Sequence, residues 1–263
     1  MEICPLIEKK QTAPGFYRLT FFAPLLARQA KPGQFVMVHM PEAENRYMLP
    51  RPYSICNVNL ERDELVIFFE VGGRGGALLA EAEEGTTLRL LGPLGRGFPA
   101  PPPGSLLVAG GMGVAPLVFL AASNDQPKTM IYGTRSADRL ACPREDLDLP
   151  GLKVVEVTED GSRGEKGTAV VTAERFIGQS SALFACGPRP LLAALADLAK
   201  QYKVPAWISV EERMACGIGA CLGCAVKTDN GYLRVCSDGP VFPAGEVNLH
   251  DEHTECQCKP GRD

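Results

Sequence analysis

The sequence predicts an α+β multidomain protein: an antiparallel β-barrel, then a Rossmann-like parallel α/β domain, then a small C-terminal cysteine module. Three observations carry this. Residues 1–100 hold short strand-like runs in series. After a proline-rich hinge, residues 104–205 alternate strands with helices. In residues 206–263, Cys216, Cys221, Cys224 and Cys236 gather in a glycine-rich stretch, MACGIGACLGCAVKTDNGYLRVC. A chain of 263 residues is long enough for two compact domains and an appended module.

The barrel is read from FYRLTFFA (16–23), QFVMVHM (34–40), ELVIFFEV (64–71) and TLRLLGP (87–93). Each is short, rich in β-branched and aromatic residues, and bounded by Gly, Pro or charged turns. Strands in such a series form an antiparallel barrel or sandwich. The run PAPPPG from Pro99 to Gly104 is a natural hinge. Beyond it, SLLVAG is a buried strand, followed by a glycine turn and a helix from about Ala115. Further strands are expected at 129–135, 153–160 and 181–187, and a helix at 191–202. Strands alternating with helices imply a parallel sheet of the nucleotide-binding type. The stretch Ser105 to Ala122 carries no charge over a length that could span a bilayer. Gly110, Gly111, Gly113 and Pro116 divide it into strand, turn and helix, so it is read as buried core and no membrane association is expected.

Composition narrows the classes. The apolar content of 45% and charged content of 22% are ordinary for a globular protein. A net charge of −4 with no basic stripe gives no case for nucleic acid. The N-terminus, MEICPLIEKKQ, does not read as a signal peptide. Ten cysteines without an export signal read as metal or redox ligands rather than disulfides, and a cytoplasmic location is expected.

Cys216, Cys221 and Cys224 have the C-x₄-C-x₂-C spacing of a plant-type [2Fe–2S] loop, and Cys236 supplies a fourth thiolate. Gly217, Gly219 and Gly223 let the backbone fold tightly and turn amides toward sulfur. A structural zinc site is the alternative, though zinc commonly uses two separated knuckles.

Arg51-Pro52-Tyr53-Ser54 opens an extended segment of the barrel. Arg51 offers a permanently charged fork for a pyrophosphate. Tyr53 can lie against a flavin ring, and the Ser54 hydroxyl can reach the flavin N5 region. An edge strand bearing proline would look the same. Gly72-Gly73-Arg74-Gly75-Gly76 leads into the helix-like ALLAEAEEG, where free amides favour phosphate; a plain hairpin turn is the alternative. A flavin also fits the chemistry, because it joins the hydride of nicotinamide to the single electrons of a cluster. In the second domain, Gly110, Gly111 and Gly113 belong to AGGMGVAP, which resembles G-x-G-x-x-G with Pro116 at the third glycine. Cys186-Gly187-Pro188 ends a later strand at the sheet edge where dinucleotides bind. Both could instead be tight strand–helix turns.

In order, RPYS, GGRGG, GGMGVAP, ACGP, ERMACGIGACLGCAV and VCSDGPVF resemble the electron-transfer subunits of type B dihydroorotate dehydrogenase, within the ferredoxin-reductase superfamily. The resemblance runs to about Val247 and is most specific at Arg213 to Cys224 and Cys236 to Phe242. It implies a barrel that holds FAD, an α/β domain for NAD, and a [2Fe–2S] module that docks on an FMN-containing catalytic subunit, in a heterotetramer of two copies of each. Electrons from dihydroorotate oxidised in that partner would pass through the cluster and FAD to NAD, as part of pyrimidine biosynthesis. By the same resemblance, FAD contacts fall on Arg51 to Ser54, Phe68, Phe69, Glu70, Gly75 and Gly76. Glu70 stands where the family often has a basic residue, so flavin contact there is expected through the backbone alone. Gly76 replaces a frequent threonine. Two other readings remain: a reductase of another flavin/iron–sulfur complex, such as a ferredoxin–NAD(P) reductase, and a zinc-stabilised non-enzymatic module.

Other features carry less. His250, His253, Cys256 and Cys258 lie in a polar tail where disorder is expected. Cys4, Cys56 and Cys142 read as buried or incidental thiols, and Trp207 and Ile208 as core. Glu211, Glu212 and Arg213 face either the flavin edge, a partner or solvent. Arg135 and Arg139 stand where a 2′-phosphate would sit, but salt bridges to Asp138 or Glu145 are the expected use, which leaves NAD the expected nucleotide.

Overall fold

The computed structural model describes residues 1–39 and 49–250. The first half contains β1 (Glu2–Ala13), β2 (Phe16–Phe22), α1 (Pro24–Gln29), β3 (Phe35–His39), β4 (Arg51–Asn59), β5 (Glu64–Glu70), α2 (Arg74–Glu81) and β6 (Thr87–Leu94). These six strands close a barrel in the order β1-β2-β5-β4-β3-β6, each paired antiparallel with its neighbours. Inward residues alternate along each strand, so Leu6, Leu19, Phe21, Ile55 and Ile67 fill the interior. Strand β1 was not expected from the charged MEICPLIEKKQ. Cys4 and Leu6 do alternate inward, but pairing with β2 and β6 is what fixes them.

The second half contains β7 (Ser105–Gly110), a single 3₁₀ turn (Gly111–Gly113), α3 (Val114–Ala122), β8 (Lys128–Thr134), α4 (Arg144–Leu147), β9 (Leu152–Thr158), β10 (Glu165–Lys166), α5 (Ala169–Ile177), β11 (Leu183–Cys186), α6 (Arg189–Tyr202) and β12 (Ala206–Ser209). After these come β13 (Ala225–Thr228), β14 (Gly231–Arg234), α7 (Val235–Asp238) and β15 (Val241–Pro243). The sheet order is β10-β9-β8-β7-β11-β12-β15, parallel except for β15. The uncharged stretch 105–122 is indeed strand, turn and helix, and α3 is buried from Val114 through Ala121. No helix among the described residues is long and apolar enough to cross a membrane. Helix α5 was not expected, because Val170, Val171 and Thr172 are β-branched. Its start is set by Thr168, whose hydroxyl accepts from the Val171 amide at 3.3 Å.

The cysteine module was expected to begin at Ala206. That residue opens β12, which pairs with β11 inside the sheet. Strand β15 then returns to pair with β12. The segment between them is therefore an excursion from one sheet edge, and this anchors the cysteines beside the nucleotide-type domain.

A largely buried ion pair ties the barrel to that domain. Arg18 Nε of β2 donates to Asp146 Oδ2 of α4 at 3.0 Å, with side chains 16% and 6% exposed. Removing one member of such a pair strands the other charge. Asp146→Ala is expected to cost about 2 kcal/mol, read by chemical denaturation, less than for a fully stranded charge because Glu8 and Thr20 still accept from Arg18 Nη1.

Candidate functional site

Barrel, sheet and cysteine excursion converge on two adjoining cavities. The first, of about 250 Å³, is lined from the barrel by Pro52, Tyr53 and Ser54 of β4 and Phe68, Phe69 and Glu70 of β5. Met112 and Ala115 close it from the α/β domain. Val210, Glu211, Glu212 and Met214 close it from the lead-in to the cysteine loop. Tyr53 packs its ring 5.2 Å from that of Phe69, and burial pushes its hydroxyl up to about 12. Arg51 stands outside these walls, beside the glycine turn. A Cβ added to Gly75 would lie 3.0 Å from Arg51 Nε, so RPYS and GGRGG are neighbours in space. A Cβ at Gly76 would make only ordinary contacts, so no crowding requires glycine there. The helix expected after this turn starts within it, at Arg74.

The second cavity, of about 820 Å³, is lined by Gly110, Gly111, Gly113, Gly187 and Pro188 at the C-terminal ends of β7 and β11. Cys186 is fully buried and lies beneath this floor rather than lining it. A Cβ at Gly113 would overlap the Cys186 carbonyl, and one at Gly110 would come within 2.9 Å of Pro188 Cδ. The glycines thus let two strand ends and two turns touch, leaving a surface of bare backbone. Such a surface suits a dinucleotide pyrophosphate.

Glu70 and Glu211 line both cavities. Arg139 does not pair with Asp138 or Glu145 as expected. Its Nη2 donates to both Glu70 carboxylate oxygens at 2.7 Å, and its guanidinium lies 5.5 Å from the Phe16 ring centre. Asp138 instead accepts from Ser136, and Glu145 pairs with Lys10. The acid at position 70 is therefore engaged through its side chain, across the boundary between barrel and α/β domain.

Glu211 is the residue that sequence reasoning left undecided. It follows β12 and lies exposed at the mouth of both cavities, where the dense protein around it raises its carboxyl above the usual range while solvent screening limits the effect. A carboxyl whose folded value lies above its unfolded value of about 4.3 favours the fold while protonated. That contribution is complete below the unfolded value and is lost as pH rises through the folded one. Glu211→Gln should therefore gain on the wild type in denaturation midpoint as pH is raised from 4 to 8.

The cysteine loop is built on strain that glycine tolerates. Gly217 and Gly219 have φ of +71° and +80°, and a Cβ at Gly217 would strike Met37 Cγ at 2.5 Å. Leu222 holds φ of +59° between Cys221 and Gly223. The thiols fall into two pairs, Cys216 with Cys221 and Cys224 with Cys236. Amides aim at them: Gly219 N–H donates to Cys236 Sγ at 3.1 Å and Cys236 N–H to Cys224 Sγ at 3.4 Å. The Ile218 amide, chiefly, lowers the Cys216 thiol to about 6, while burial raises Cys236 to about 12. Among the described residues no three His, Cys, Asp or Glu side chains converge on one point. Two pairs of thiolates are what a two-iron cluster needs, one pair per iron. Arg234 braces the loop from the side, donating to Gly219 O at 3.2 Å while gripping Asp238. Of the tail group, His250 Nε2 lies 3.3 Å from Asp197 Oδ1, and His253, Cys256 and Cys258 lie outside the described residues.

Comparison with known proteins follows the same lines. Residues 211–248 match the family model of the iron–sulfur cluster binding domain of dihydroorotate dehydrogenase B. The chain is 39% identical over 246 residues to the dihydroorotate dehydrogenase B (NAD(+)) electron transfer subunit of Desulforamulus reducens, covering 89% of this chain and 93% of that one. The subunit of the same name from Bacillus caldolyticus is 38% identical over 241 residues, covering 89% and 93%. Among solved structures, an NADH-dependent reduced ferredoxin-NADP oxidoreductase superposes with a TM-score of 0.83 at 24% identity, covering 95% of this chain and 91% of the other. A ferredoxin NADP+ reductase from Neisseria gonorrhoeae, with FAD and NADP bound, gives a TM-score of 0.62 at 19% identity over 76% and 91%. These two likenesses establish the fold. Identity above a third along almost the whole of both sequences, with the cysteine segment matching its own domain family, makes the chain a member of the dihydroorotate dehydrogenase B (NAD(+)) electron transfer subunit family.

Proposed function

We propose that the chain carries electrons from the FMN of a separate dihydroorotate dehydrogenase catalytic subunit, by way of a [2Fe–2S] cluster and FAD, to NAD+, in the cytoplasm and as part of pyrimidine biosynthesis. Two copies would assemble with two catalytic subunits, where dihydroorotate is oxidised. One observation supports the reading above others. The cavity of about 250 Å³ is walled by the barrel, the nucleotide-type domain and Met214, two residues before Cys216. When bound, FAD and the cluster supply the redox chemistry, with the flavin converting one-electron into two-electron transfer.

The residues do the holding. Cys216, Cys221, Cys224 and Cys236 would hold the cluster, Arg51 and the α2 turn the FAD pyrophosphate, and Tyr53, Ser54, Phe68 and Phe69 the flavin ring. Gly110, Gly111, Gly113, Gly187 and Pro188 would take NAD. Glu70 occupies Arg139, and the carboxylate of Glu159 lines the same cavity alongside Arg135, so a 2′-phosphate meets one spent cation and an acid set against the other arginine. Preference for NAD+ over NADP+ should therefore exceed about tenfold in kcat/KM, and Glu159→Gln should narrow it.

The test is anaerobic purification with and without an FMN subunit. Yellow and red-brown colour, about two irons and two sulfides per chain, and dihydroorotate-dependent NAD+ reduction only with both subunits are expected. Zinc in place of iron would overturn the reading in favour of a structural module. NADH–ferredoxin activity that needs no partner would overturn it in favour of a free-standing reductase.

A further inference from the structure

The Ser237 hydroxyl has no role in anything described above. Its oxygen is shut off from solvent and has no hydrogen-bond partner among the described residues. Burying a hydroxyl unpaired opposes folding, so such a group is expected to have an acceptor in the working protein. The other two side chains in this condition, Thr12 and His39, belong to barrel strands. Ser237 is different in where it lies. It follows Cys236 in α7, and its oxygen sits 2.9 Å from where a Cβ on Gly219 would be. The amide of that same Gly219 donates to Cys236 Sγ. Arg234 fixes both sides of this contact, holding Gly219 through its carbonyl and α7 through Asp238. The hydroxyl is thus clamped at the edge of the thiol cage, next to the N–H groups already aimed at sulfur.

We propose that the Ser237 hydroxyl donates a hydrogen bond to a sulfur of the [2Fe–2S] cluster and raises its reduction potential, with Arg234 as the positioning residue. The inference rests on the cluster assignment above. A donor to sulfur stabilises the reduced cluster more than the oxidised one, because the reduced cluster carries one more negative charge. Loss of the donor therefore makes the cluster harder to reduce.

The experiment compares wild type, Ser237→Ala and Ser237→Thr in the anaerobically purified complex, after iron and sulfide analysis. The readouts are an EPR-monitored redox titration and the exchangeable-proton couplings of the reduced cluster in H₂O and D₂O. In Ser237→Ala, the ratio of reduced to oxidised cluster at a fixed potential should fall about threefold to tenfold, a tenfold change being 59 mV for one electron. One exchangeable coupling should disappear. Ser237→Thr should retain both the potential and the coupling. A cluster lost from the alanine variant but kept by threonine would also support a need for the hydroxyl. An unchanged potential in a fully loaded alanine variant overturns the proposal, as do equal shifts in both variants or cluster loss from both. A wild type lacking iron would instead sink the cluster assignment itself, so the two failures are distinct.

Discussion

Cys224→Ala should abolish the red-brown chromophore and lower dihydroorotate-dependent NAD+ reduction by at least about 100-fold, while NADH still reduces an artificial dye at the flavin. Cys224 is the ligand to test because it is buried at 2% exposure and bonded on both sides. Its sulfur accepts the Cys236 amide, and the Cys224 carbonyl accepts from Val235. Alanine is chosen because a serine oxygen can itself ligate iron. The separation of the two activities is the informative part. The smaller cavity reaches the cysteine excursion at its two ends, through the lead-in Val210 to Met214 and through Pro240, and its other walls come from the barrel, β12, and the glycine turn with the start of α3. Removing one thiolate leaves those walls standing. Iron analysis, the visible spectrum and paired assays check this. Equal loss of both activities would mean that the module supports the whole fold rather than an electron route.

The sequence is most informative where its signals are local. The run ELVIFFEV is bounded by a charged turn and a glycine pair, and β5 occupies Glu64–Glu70. The glycine turn within 105–122 breaks the apolar run because two backbone strands must touch there. Three of the four cysteines lie within nine residues, so their spacing alone points to a cluster loop. What stays hidden depends on distant partners. Arg139 and Glu70 are 69 residues apart, and nothing near either residue names the other. Glu211 reads as part of a solvated charged turn, yet β12 and β15 place it at the junction of two cavities. Strand β1 is polar enough to read as a tail until β2 and β6 flank it. The orphaned Ser237 oxygen is likewise a property of packing against Gly219, with no trace in the sequence pattern.

Gly113→Ala should raise the KM for NAD+ at least about tenfold and destabilise the α/β domain by about 3 kcal/mol, with FAD and iron content held near wild type. The added methyl would overlap the Cys186 carbonyl and stand 2.7 Å from the Gly187 amide nitrogen. Both are backbone atoms in a fully buried strand end, so no side chain can swing aside to relieve the clash. Backbone strain is not the cause, since Gly113 has φ of −60°, a value that alanine adopts freely. The cost is steric and falls on the contact between the turn after β7 and the turn after β11. Those two turns form the glycine floor of the larger cavity. Spreading them moves the backbone on which a pyrophosphate would rest, while β4 and β5 of the barrel keep their register. Gly111→Ala provides the contrast. Its φ of +55° is strained for alanine, but nothing lies within 4 Å of the added carbon, so the loss should be about 1 kcal/mol, without a collapse of the floor. Denaturation curves and NAD+ saturation kinetics on the two variants separate the cases. A Gly113→Ala protein that is no less stable than Gly111→Ala would show that the two turns can part without disturbing the site.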